Sequence, residues 1–120
     1  MDDDYSNSTI FALLPKFHTP QSANGFVYIN FTKGKLNWRI NGIKAGYRRN
    51  PEKSECKMLF DRFGIDNIQC IILHTGPFDN RSRLTEKTIE YQFSIPCINK
   101  YYYYKNLSNN KENPYFVLSF

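Results

Sequence analysis

Cysteine, histidine and tryptophan are scarce in this sequence. The three cysteines, Cys56, Cys70 and Cys97, are odd in number and contain no CxxC pair. Neither a disulfide framework nor a cysteine-based zinc site is therefore expected, and free thiols suit a reducing compartment. The two histidines, His18 and His74, have no carboxylate or thiol in motif spacing and are assigned no chemistry. No run approaches the ~18 consecutive apolar residues of a membrane span. The opening Met1-Asp2-Asp3-Asp4 is acidic, with no apolar stretch behind it, unlike a secretory signal. The expected setting is intracellular (cytoplasm, nucleus or virion), not secreted, with no membrane partner.

What is present is a 120-residue chain, 41% hydrophobic and 22% charged, long enough to close one core without staples. Aromatics are heavy at 17%, and the Asn, Tyr, Lys and Ile bias matches A+T-rich coding. The net charge of +5 is unevenly placed. Lys33, Lys35, Arg39, Lys44, Arg48, Arg49, Lys53 and Lys57 stand against Glu52 and Glu55, so segment 33–57 carries eight minus two, or +6. A local basic field is either the footprint of a polyanion or a solvated helical face.

The hydrophobic pattern is mixed. Thr9 to Leu14 is an apolar run too short for a helix and ended by Pro15, so it is expected to form a strand. A turn-rich loop follows, then an aromatic and β-branched strand from Phe26 to Thr32. Leu36, Ile40, Ile43 and Tyr47 recur at helical spacing, weakened by Gly42 and Gly46. A second helix carries Met58, Leu59, Phe60 and Phe63, with Ser54 as its expected N-cap and Gly64 at its end. Ile68 to Leu73 predicts a third strand, and Ser82 to Phe93 a third helix. The polar residues 1–8 are expected to form an acidic tail, 9–100 one domain, and 101–120 an aromatic extension.

The series Leu59-Phe60, Phe63-Gly64-Ile65-Asp66-Asn67, Ile71-Ile72-Leu73, Pro77, Leu84, Glu90-Tyr91 and Cys97-Ile98-Asn99-Lys100 resembles the second half of a GIY-YIG nuclease domain, viral members especially. In that register Tyr28-Ile29-Asn30-Phe31-Thr32 resembles the YIGST strand, Leu36-x-x-Arg39 the L-x-x-R of the next helix, and Thr9-Ile10-Phe11 the GIY triplet. The resemblance spans residues 9–100. It implies a small α/β (α+β) fold, a three-stranded antiparallel sheet flanked by about three helices, with a C-terminal extension. It also implies a site that cuts DNA phosphodiesters with one divalent ion. In such a site an arginine grips the phosphate, a carboxylate holds the metal, and tyrosines position or relay protons.

Matched residue by residue, that site is incomplete. Tyr28, Arg39 and Asn99 remain as vestigial catalytic positions, while Phe11 replaces a tyrosine and Thr88 the metal-binding glutamate. Asn30 replaces the glycine of YIG, and Ile43 stands where a polar group is common. Glu86 and Glu90 flank Thr88, but two residues on a helix turn a side chain about 200° away. Glu90 is left as a metal candidate only after a register shift.

The expected function is a degenerate, nuclease-like domain that binds nucleic acid through Lys33, Lys35, Arg39, Lys44, Arg48 and Arg49 without cutting it. It needs no cofactor. One alternative is a structural component of a larger, possibly viral, assembly, held through Tyr101–Tyr104 and the apolar C-terminus. Another is an active endonuclease using Mg²⁺ or Mn²⁺.

Overall fold

The structure, a computed structural model, describes residues 5–99. The expectations for Tyr101–Tyr104 and the apolar C-terminus lie outside the described residues. Three strands, β1 (Ser8–Pro15), β2 (Tyr28–Thr32) and β3 (Ile68–Gly76), form one antiparallel sheet in the order β2-β1-β3. Three helices accompany them: α1 (Leu36–Arg49), α2 (Lys57–Phe63) and α3 (Arg81–Ser94). This is the small α+β fold expected, with a three-stranded sheet and three helices.

β1 reads as a continuous apolar run because it has no solvent side. It pairs with β2 from Thr9↔Thr32 to Leu13↔Tyr28, and with β3 from Ser8↔Gly76 to Pro15↔Ile68. Its alternate side chains enter two separate cores. Ile10, Ala12 and Leu14 join Ile29 and Leu84 on the face covered by α3. Phe11 and Leu13 join Tyr28, Leu59 and Phe60 on the face covered by α1 and α2. A strand buried on both faces loses the apolar–polar alternation of a half-exposed one.

The helices are seated by their periodic residues. Leu36, Ile40, Ile43 and Tyr47 pack half-buried on the second core, and no residue of α1 is fully buried. Leu84, Tyr91 and Ile95 pack α3 on the first core, and Asn80 caps its start by accepting from the Arg83 N–H at 3.0 Å. Gly64 ends α2 with φ +87°, and its N–H bonds the Phe60 carbonyl.

Several local expectations need correction. Ser54 does not cap α2: the cap is Cys56, whose N–H donates to Ser54 Oγ at 3.1 Å. Met58 is exposed rather than part of the apolar face. β2 begins at Tyr28, not Phe26, and β3 runs on through His74 and Thr75 to Gly76. Tyr5, read as tail, is buried in the first core, its backbone carbonyl accepting from the Phe78 N–H.

Leu84 is fully buried between α3 and the sheet. Leu84→Ala is expected to cost about 2–5 kcal/mol, lowering the melting temperature by roughly 10–20 °C. A shift of only a degree or two in a calorimetric scan would mean that α3 does not depend on that contact.

Candidate functional site

Beneath α1 the second core opens into a cleft of about 440 Å³. Its walls are built from three places in the chain. β2 supplies Tyr28; α1 supplies Arg39, Gly42, Ile43, Gly46, Tyr47 and Arg49; the turn around Pro51 supplies Asn50, Lys53, Ser54 and Glu55. On a helix, positions 39, 42, 46 and 49 fall within one stripe. The short Pro51–Lys53 turn then folds the chain back under that stripe.

Tyr28 is only 1% exposed, so its hydroxyl reaches the cleft from below. That oxygen accepts from Asn30 Nδ2 at 2.6 Å and donates to Glu55 Oε1 at 3.2 Å. Burial pushes the hydroxyl well above the usual tyrosine range; the Asn30 bond pulls the other way, and the Glu55 charge adds to the rise. A proton held so firmly makes Tyr28 a donor and a brace at neutral pH, not a base. Burial likewise pushes the nearby Cys56 thiol up, which leaves it a poor nucleophile.

Three cations, Arg39, Arg49 and Lys53, face one carboxylate, Glu55, in this cleft. Among the described residues neither Arg39 nor Arg49 takes an ion-pair partner. Beside the cleft Lys57 is bonded to both Asp61 and Glu52.

The other expected site residues divide. Arg48 is exposed, but nine residues from Arg39 is about half a turn away, which places it on the opposite side of α1. Lys33 sits 5.1 Å from the Tyr5 ring and Lys35 4.7 Å from the Trp38 ring. Lys44 is half-buried and does not line the cleft.

Asn99 is a latch. Its Oδ1 accepts from the Ile29 N–H at 2.7 Å and its Nδ2 donates to the Ile29 carbonyl at 2.9 Å. Gln92 donates to that carbonyl as well. The outer edge of β2 is thereby closed by side chains.

The metal that the resemblance implies finds no donor set. Phe11 is fully buried in the second core. Thr88 is buried, and its hydroxyl donates to the Leu84 carbonyl of its own helix at 2.8 Å. Glu90 pairs with Lys87 and lines a groove with Pro77, Phe78 and Asp79 on the α3 side of the sheet. Among the described residues no group of three or more His, Cys, Asp or Glu could share an ion.

Sequence reasoning counted Glu55 and Lys53 only toward net charge and did not place Asn50 at the site. Their approach to Tyr28 depends on a 27-residue contact between Glu55 and Tyr28. The helix-breaking Asn50-Pro51 was the one local signal that the chain turns back. Comparison of the chain with protein-family models, curated proteins and solved structures returns no match.

Two predictions follow from these bonds. Asn99→Ala removes the acceptor of the Ile29 N–H and leaves the Ile29 carbonyl with Gln92 as its side-chain donor, and is expected to cost about 1–3 kcal/mol in urea unfolding. An unchanged midpoint would mean that the latch is not formed. A free tyrosine ionises near pH 10, whereas folded Tyr28 holds its proton above that. Its stabilising share is therefore complete below about pH 10 and is lost as pH rises further. Tyr28→Phe is expected to flatten that alkaline fall in stability, read as unfolding midpoints from pH 8 to 11; superimposable pH profiles would contradict a buried hydroxyl.

Proposed function

We propose that this chain is a degenerate GIY-YIG-like domain that binds nucleic-acid phosphates through the α1 cleft without cleaving them. The observation that supports this most is the pair of guanidiniums, Arg39 and Arg49, that take no ion-pair partner among the described residues, in a cleft with Lys53 and the Tyr28–Glu55 pair. A planar guanidinium with five donors matches a phosphate in two-pronged geometry. Neutralising successive phosphates releases counterions, which gives such binding its salt dependence.

The same residues argue against a working nuclease. Phosphodiester hydrolysis in the manner of the resembled family requires a carboxylate-held metal beside the arginine. Here the corresponding position is a buried threonine closed on its own helix, and the carboxylates of α3 lie on the other side of the sheet. An accessory role that holds nucleic acid, alone or within a larger assembly, fits the retained cations.

The test is fluorescence anisotropy with a labelled short duplex and a branched DNA at low and high salt, with Ca²⁺ present. Binding that weakens steeply with salt is expected. Arg39→Ala and Arg49→Ala should each weaken it by roughly tenfold and lower the salt slope by about one. Arg83→Ala, ion-paired with Glu86 on α3, should leave it unchanged. No binding at low salt would overturn this reading in favour of a protein-facing basic surface. Mg²⁺- or Mn²⁺-dependent nicking that disappears in Arg39→Ala would overturn the non-cleaving part.

A further inference from the structure

The only tryptophan in the chain stands in solvent. Trp38, in the first turn of α1, is 67% exposed, and Lys35 Nζ lies 4.7 Å from the centre of its ring. A large ring left in water forgoes the stabilisation that burial would bring. Its neighbour in sequence is Arg39, which turns into the cleft.

The helix continues from this ring in a bare strip. Positions 38, 42, 45 and 49 follow one another at spacings of four, three and four, so they share a side of α1. Between Trp38 and Arg49 that side carries only Gly42 and Ala45. A glycine inside a helix costs about 1 kcal/mol relative to alanine, and a Cβ added at Gly42 would meet nothing within 4 Å. Packing among the described residues therefore does not demand the glycine, and between Trp38 and Arg49 that side carries no side chain longer than a methyl over about 16 Å of helix. It joins an exposed ring, flanked by a cation, to two guanidiniums without an ion-pair partner among the described residues.

An aromatic platform continuous with a basic track is the arrangement that binds unpaired nucleotides, since every base offers a π-face and every link a phosphate. In a duplex those faces are already stacked inside. Building on the phosphate-binding reading above, we infer that α1 binds single-stranded nucleic acid, one unpaired base stacking on Trp38 while the following phosphates run along the strip to Arg39 and Arg49.

A single tryptophan makes its emission a local reporter. The full chain is titrated at low salt with short oligothymidylate, oligouridylate and a duplex of equal length, following Trp38 fluorescence and anisotropy together. Quenching by at least one of the single strands, but not by the duplex, is expected; which strand quenches tells DNA from RNA. Trp38→Ala should weaken single-strand binding by about 5- to 150-fold, the span of one base–aromatic stack. Duplex affinity should stay within about twofold, and Trp38→Phe should keep part of the single-strand affinity. Single strands that bind without quenching, or a Trp38→Ala loss equal for both forms, would overturn this inference and leave phosphate binding standing. Failure of every nucleic acid to bind at low salt would overturn both.

Discussion

Everything in this domain hangs on the pairing of β1 along both of its edges. Ile10 through Leu14 are all at most 1% exposed, which happens only because hydrogen-bonded strands flank β1 and helices cover both of its faces. Side chains at even positions define one core, and those at odd positions the other. A slip of one residue in either ladder would exchange the two sets. It would then present Phe11 to the core that now holds Ile10, and Ile10 to the core that now holds Phe11, and close-packed interiors resist such changes of shape. Register is therefore held by two cores at once, even though the β1–β3 ladder is irregular between Ile10 and Phe11.

The cleft is a by-product of how loosely α1 sits on that platform. Its contact residues are all half-buried, so the helix stands off the sheet at one side. Tyr28 forms the floor of the space because it is the β2 residue whose side chain joins Phe11 and Leu13. Its hydroxyl needs a partner in a buried setting, and Asn30 and Glu55 supply two. Glu55 thus has a structural duty toward Tyr28 while it tempers the positive charge of Arg39, Arg49 and Lys53. The same carboxylate limits how strongly an anion is attracted and keeps the arginines from facing only one another.

Much of this was legible from local pattern. The strand nature of Thr9–Leu14, the helix through Leu36, Ile40, Ile43 and Tyr47, and the Gly64 stop rest on nearest-neighbour physics, and all three stand in the structure. Boundaries were less legible. Phe26 is as β-prone as Tyr28, yet it edge-packs on Phe63 ahead of the ladder. Ser54 looked like a cap, but the chain enters α2 two residues later, so its hydroxyl serves a turn instead. The site was half legible: Tyr28 and Arg39 could be placed together, while Glu55, Asn50 and Lys53 could not, because a return of the chain after Pro51 is a tertiary event. The basic segment misled in one respect. Summed charge over 33–57 treats all cations alike, whereas a helix sends Arg48 and Arg39 to opposite sides.

The strand order also has a consequence for the order of events as the chain is made. β1 lies between its partners in space but precedes both in sequence, and its second partner begins only at Ile68. During synthesis a strand that is apolar on both faces therefore waits with one edge open until some sixty further residues exist. Contacts so distant along the chain form slowly, and an open apolar edge is where neighbouring chains join wrongly. The early β1–β2 hairpin, with its fifteen-odd residues of separation and charged Lys16 and Lys33 at its ends, offers partial shelter in that interval. The rate at which β3 arrives, rather than the depth of the finished core, would then govern how much of this protein reaches its folded form.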